Sequence, residues 1–208
     1  MKIIGWDIGG AHIKAAKIDF KKKTSKTKQL YSPIWKNVNY LKKSIKLIKK
    51  KLGKTNYHAI TMTAELSDIF PDRKNGVKHI INLSSKILGE KNIFFYSKKN
   101  FLKKKLAIKK PFELNSMNWH ATASFISNFF PNCILVDIGS TTTDIIPINN
   151  KEIISEKYIL NASTNPKDKG PFPEYTLWYS KNGELLKFKF INWKDKKEVT
   201  TLRNDFNN

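Results

Sequence analysis

The sequence predicts an α/β protein, a mixed sheet flanked by helices and built on an internal duplication. Three observations predict it. Short apolar strands alternate with amphipathic helices through the first 148 residues, the pattern of a sheet layered by helices. A strand ending in Asp7 runs into a glycine turn, Gly9-Gly10, and out into a second strand. The same device returns at Asp137 and Gly139, one domain length further on.

Each element has its own signal. Lys2 to Asp7 is a short apolar run and Ile13 to Phe20 its return, so the glycine pair between them makes a hairpin. Gln29 to Ile34 reads as a third strand. Leu41, Ile45, Ile48 and Leu52 recur at helical spacing, with Gly53 as the stop. Tyr57 to Met62 is a buried-type strand. Asp72 is placed to cap a helix carrying Val77, Ile80, Ile81, Ile87 and Leu88, which Gly89 ends. Asn92 to Tyr96 is a strand again. Asn115 or Ser116 is placed to cap a helix with Trp119, Ala123, Ile126 and Phe130 on one face, and Phe125 and Phe129 fit the same packing role. Pro131 stops that helix. Cys133 to Asp137 and Thr142 to Ile148 form the second hairpin.

This order divides the chain into a first domain over 1–131, the start of a second over 132–161, and a divergent or truncated tail over 162–208. The tail offers two strands, Tyr175 to Tyr179 and Leu185 to Ile191, around Asn182-Gly183.

Composition excludes several classes. The net charge is +22, yet only Arg73 and Arg203 among the 39 basic residues are arginine. Specific readers of phosphate and base edges favour the arginine fork, so no specific nucleic-acid partner is expected. The apolar runs are too short to span a bilayer. With one cysteine, Cys133, no internal disulfide forms, and a cytoplasmic setting is expected. His12, His58, His79 and His120 are scattered, without zinc-site spacing. Up to Ile148 there are nine acidic residues, and five of them (Asp7, Glu65, Asp68, Asp137, Asp144) fall in three compact motifs.

A strand ending in Asp before a glycine turn suits a phosphate and its cation. The carboxylate holds a hard cation directly or through water. The turn presents backbone N–H groups to an anion. Thr141, Thr142 and Thr143 add hydroxyls to the second turn, and Asp144 adds a carboxylate. A strand follows each turn, which separates both from the P-loop and the dinucleotide fingerprint, where a helix follows. A plain structural turn remains the competing reading of each.

Asp7-Ile8-Gly9-Gly10-Ala11 and Leu135 to Asp144 resemble the two phosphate motifs of the actin-like ATPase superfamily, and more narrowly those of its hydantoinase/oxoprolinase branch. Met62-Thr63-Ala64-Glu65-Leu66-Ser67-Asp68, followed by Arg73 and Gly76-Val77, resembles the Met-Thr-Gly-Glu-Leu-Ala-Asp signature of tetrahydromethanopterin-linked C1-transfer pathway proteins, with Ala64 in place of the signature glycine. Asn118-Trp119-His120-Ala121-Thr122-Ala123 is similar to a further segment of that group. The resemblance covers roughly residues 1 to 148. It implies a ribonuclease-H-like, actin-type fold with a truncated second domain. It also implies a role in methanofuran biosynthesis, as a transferase that joins a diphosphate-activated aminomethylfuran to glutamyl-tyramine and releases diphosphate.

Carried over motif by motif, the resemblance assigns Gly9, Gly10, Gly139, Ser140, Thr141 and Thr142 to phosphate. It assigns Asp7 and Asp137 to Mg²⁺, and Asp144 with Asp7 to catalysis. Glu65 and Asp68 belong to the signature, whose role it leaves open; capping a helix start is the plain alternative for both. His12 stands where the group has a small polar residue, and reads either as a ligand or acid/base or as a packed histidine. The expected ligand is a small-molecule phosphate or diphosphate with Mg²⁺. An ATP-dependent hydrolase or actin-like ATPase and an inactive truncated paralogue stay open as alternatives.

Overall fold

The computed structural model describes residues 1–138, 142–154, 162–163, 175–181 and 184–190. The chain divides into two compact units, Met1–Ala121 and Thr122–Asn208.

The first unit is a mixed six-stranded sheet in the order β3-β2-β1-β4-β5-β6. β1 (Lys2–Ile8) and β2 (His12–Asp19) form the opening hairpin, and β3 (Thr24–Tyr31) extends it antiparallel. β4 (Tyr57–Met62) and β5 (Ile93–Tyr96) continue parallel to β1, and β6 (Phe101–Leu102) closes the edge antiparallel. Parallel neighbours need long crossovers. α1 (Asn39–Leu52) lies between β3 and β4, and α2 (Arg73–Leu88) joins β4 to β5.

Alternation along β1 sorts its side chains. Ile4, Trp6 and Ile8 are buried and Gly5 and Asp7 lie on the opposite face. Ile4 and Ile8 join Ile60 and Met62 of β4 in one core with Ile45 and Ile48 of α1 and Ile80 and Ile81 of α2, all at most 1% exposed. No side chain caps the start of α1, whose apolar stripe against the sheet holds it instead. α2 starts as its sequence dictates: the Asp72 carboxylate accepts from the Asn75 backbone N–H at 2.7 Å. Gly53 and Gly89 end α1 and α2 at positive φ, where glycine is unstrained.

Three elements differ from the sequence pattern. β3 runs from Thr24 to Tyr31, earlier than Gln29 to Ile34, because an exposed edge strand of polar residues is defined by its register on β2 and not by apolar alternation. A six-residue helix, α3 (Lys104–Lys109), buries only Ala107 and leaves no apolar period to read. α4 (Asn118–Ile126) forms where a helix is expected, and Ala123 is buried. Phe125, Phe129 and Phe130, however, are 63%, 64% and 59% exposed, so they are not its packing face. Phe129 and Phe130 lie beyond the helix end, where its spacing no longer applies.

In the second unit β7 (Cys133–Ile138) and β8 (Thr142–Asn149) form an antiparallel hairpin. β9 (Glu152–Ile153) and β10 (Ala162–Ser163) pair with β8. β11 (Tyr175–Lys181) and β12 (Glu184–Phe190) are an antiparallel pair, as the tail's two apolar runs predict. Among the described residues no helix is long and apolar enough to cross a membrane.

Candidate functional site

The two hairpins have the same register. In the first, Asp7 is the cross-strand partner of Lys14 and Ile8 of Ile13. In the second, Asp137 is the partner of Asp144 and Ile138 of Thr143. Each residue of the second set lies the same distance along the chain from its counterpart in the first. The duplication therefore extends from the motif to the backbone pairing.

The first turn is built around Gly9. Its N–H donates to the His12 carbonyl at 3.0 Å. A Cβ there would come within 2.8 Å of that same oxygen, too close for any side chain. Gly10 has open space around it. The loop is tied down from behind, because the carbonyls of Gly10 and Ala11 accept from the N–H groups of Ile34 and Ser32. Asp7 sits at the β1 end with the Lys14 ammonium 3.7 Å away. An open groove of about 610 Å³ runs along this face of the sheet, with Asp7, Lys14, Thr61 and Tyr96 in its lining. His12 packs its ring against Tyr31 at 5.4 Å between centroids.

The signature segment lies beside this turn. Thr63 donates its N–H to the Ile8 carbonyl at 3.0 Å, and its hydroxyl lies 3.7 Å from where a Gly9 Cβ would be. The fold thus brings the first motif and the signature together. Within the signature the two acids part company. Asp68 is exposed. Glu65 is 1% exposed, in a one-turn 3-10 helix at Ala64–Leu66. Neither caps α2, since Asp72 does. Glu65 Oε1 accepts from the Ser116 N–H at 2.8 Å and from the Ser116 hydroxyl at 3.0 Å. Burial pushes its carboxyl up to about 7, against the opposing pull of the Ser116 hydrogen bonds and Arg73.

Gly76 explains why a glycine follows the signature. A Cβ at Gly76 would meet the Glu65 Cα and carbonyl oxygen at 2.9 Å, so α2 packs on the signature turn only through a glycine. Sequence reasoning missed two further contacts. Trp6 Nε1 donates to His58 Nδ1 at 3.0 Å in the core, and burial lowers the imidazole to about 4, so it stays neutral. The Tyr96 hydroxyl and His120 Nδ1 are 2.9 Å apart at the base of α4.

In the second hairpin Asp137 and Asp144 are half-buried cross-strand partners. The Asp144 carboxyl is held above the usual carboxylate range, first by burial and then by the Asp137 charge. Like charges directly opposite destabilise a strand pair. Mg²⁺ is commonly bound by one or two carboxylates together with substrate phosphates, so this donor set fits Mg²⁺ arriving with a phosphate. Among the described residues no group of three or more His, Cys, Asp and Glu side chains gathers as a closed metal cage. Gly139, Ser140 and Thr141 lie outside the described residues, as does the Thr142 side chain.

Two register-matched hairpins with acids at their mouths define a mixed α/β protein with a duplicated hairpin. Residues 56–177 match the family model of hydantoinase/oxoprolinase, and the chain belongs to that family. It is 40% identical over 164 residues to a (4-{4-[2-(gamma-L-glutamylamino)ethyl]phenoxymethyl}furan-2-yl)methanamine synthase of Methanocaldococcus jannaschii. That match covers 78% of this chain and 48% of the synthase, so the chain spans about half the length of that relative. Among solved structures, it is similar to an exopolyphosphatase from Cytophaga hutchinsonii, with TM-score 0.44, 11% identity, and 79% and 51% of the two chains covered. It is also similar to the ethanolamine utilization protein EutJ of Carboxydothermus hydrogenoformans, with TM-score 0.44, 13% identity, and 79% and 52% covered.

Proposed function

We propose that this chain acts in methanofuran biosynthesis as a transferase on a diphosphate-activated aminomethylfuran, with Mg²⁺, through an actin-type pair of phosphate turns. The observation that carries the phosphate chemistry is the Asp137–Asp144 pair, two carboxylates that a cation would reconcile. The relative's name supports the furan and phenol parts of this reading. Its product contains a phenoxymethyl ether on a furan, which is the bond formed when a phenol oxygen attacks a furan methylene.

In this reading the methylene carbon–oxygen bond breaks as the phenol oxygen bonds to that carbon, and diphosphate leaves with the bonding electron pair. Asp7 in the first hairpin and Asp137 in the second would each offer a carboxylate to Mg²⁺, which when bound offsets the charge growing on the leaving diphosphate. Gly9 and Gly10, with Gly139, Ser140, Thr141 and Thr142, would receive the phosphate oxygens. Asp144, with its raised pKa, would take the phenol proton. Titration calorimetry of the full chain with diphosphate and Mg²⁺ tests this. Binding that requires both ligands and is lost in Asp137→Ala is expected; no binding, or binding unchanged by that substitution, defeats the reading.

The family match supports a second reading, an ATP-dependent hydrolase of the hydantoinase/oxoprolinase type. ATP hydrolysis that depends on Asp7 would favour it over the first.

A further inference from the structure

The signature's buried acid has a place in the fold that no motif match explains. Glu65 is an almost fully buried carboxyl, and Oε1 takes both of its hydrogen bonds from a single residue 51 positions away. That residue, Ser116, has φ +52°, the left-handed region that non-glycine residues avoid. Two residues later α4 begins, and α4 carries the chain out of the first unit into the second, toward the strand that ends in Asp137. Gly76 lets α2 press directly on the Glu65 backbone, so the carboxyl is fixed from behind. The Tyr96–His120 bond pins the same stretch two residues into the helix.

A strained backbone conformation persists only where its surroundings over-determine it. A buried carboxyl accepting the N–H and the hydroxyl of the strained residue does this. We propose that Glu65 is a positioning residue: it holds Ser116 in its left-handed turn and thereby fixes the base of the helix that leads to the second hairpin. The consequence for ligand rests on the reading that the hairpins bind diphosphate with Mg²⁺. Glu65 touches no substrate in this scheme; it acts through Ser116 and α4.

The test uses rescue. Loss of the carboxyl should free Ser116 to leave positive φ, whereas glycine at 116 adopts that conformation without strain. Amide hydrogen exchange over residues 114–121 and calorimetric binding of Mg²⁺-diphosphate are measured for the full chain, Glu65→Ala, Glu65→Gln, and Glu65→Ala combined with Ser116→Gly. Glu65→Ala is expected to speed exchange in this stretch and weaken diphosphate binding, each about tenfold, the scale of one strained residue. Ser116→Gly in that background should recover most of both losses, which a mere core defect at position 65 would not allow.

Glu65→Gln keeps the volume and an accepting oxygen, so it should retain most of the protection. If Glu65→Ala does not fold, Glu65→Gln combined with Ser116→Ala, which removes the hydroxyl bond, takes its place and should lose protection that Ser116→Gly restores. Unchanged exchange in Glu65→Ala, or no recovery with glycine, overturns the proposal. Absence of diphosphate binding by the unaltered protein overturns the proposed function instead, and exchange still decides whether Glu65 holds the turn.

Discussion

Asp144 faces Asp137 across the second hairpin at the position where Lys14 faces Asp7 in the first. The same backbone register thus carries an ion pair in one half of the duplication and a repulsive pair in the other. In the first hairpin the protein neutralises its own acid, with the ammonium at 3.7 Å. In the second, no ion pair among the described residues neutralises either acid.

Mg²⁺ should therefore stabilise the protein through the second hairpin. Relief of two opposed like charges is worth roughly 0.2–1 kcal/mol, or about 0.4–4 °C in Tm for a chain of this size. In chelator, Asp144→Asn is expected to melt that much higher than the unaltered protein. In millimolar Mg²⁺ with diphosphate the order should reverse, because the variant has lost one of the two facing charges that the cation offsets. Calorimetric scans of both proteins under both conditions check this, and equal Mg²⁺ shifts would count against the site.

The two glycines of the first turn should behave differently. Gly9→Ala places a methyl against the His12 carbonyl at 2.8 Å, where the neighbour is backbone and cannot swing aside. A loss of about 1–3 kcal/mol is expected, as for other overpacked sites. Gly10→Ala meets nothing within 4 Å and neither glycine is at positive φ, so stability should change little. Urea titration reads both. If Gly10→Ala leaves the fold intact yet abolishes phosphate binding, the second glycine is kept for ligand approach.

Gly76→Ala tests the contact between α2 and the signature turn. In an exposed helix this change gains about 1 kcal/mol from helix propensity. Here the Cβ meets the Glu65 backbone at 2.9 Å, and the overpacking cost of about 1–3 kcal/mol should prevail. A stabilised variant would show that α2 shifts away easily and that Gly76 is not a packing requirement.

Much of this was legible in the sequence, and what was not has physical causes. The hairpins announce themselves because glycine turns between apolar strands are local signals. α2 was equally plain, with Asp72 at one end and Gly89 at the other. β3 was misplaced because its eight residues are almost all exposed and obtain their strand state from β2. The roles of Glu65 and His58 were hidden because their partners, Ser116 and Trp6, lie 51 and 52 residues away and no periodicity links them. Phe125, Phe129 and Phe130 misled for the opposite reason. Their apolarity is real, but the described structure leaves them at the surface.

Glu65 and His58 together set an unusual dependence of stability on pH. The Glu65 carboxyl rises from 4.5 to about 7 on folding, so the folded state holds a proton that the unfolded state has lost. Its contribution is fully present below 4.5 and is lost as pH climbs to about 7. The His58 imidazole falls from 6.5 to about 4, so its contribution is present above 6.5 and is lost as pH drops toward 4. Each slope is about 1.4 kcal/mol per pH unit with opposite sign, so between about 4.5 and 6.5 they cancel. Removing either group should expose the other. Glu65→Gln is expected to lose stability steadily on acidification from 6.5, by about 3 kcal/mol at most relative to the unaltered protein's profile. His58→Gln, which keeps an acceptor for the Trp6 N–H, should instead lose stability as pH rises from 4.5 to 7. Urea titrations at half-unit steps of pH give the difference between each variant and the unaltered protein. Parallel curves for all three would mean that neither group titrates away from its unfolded value.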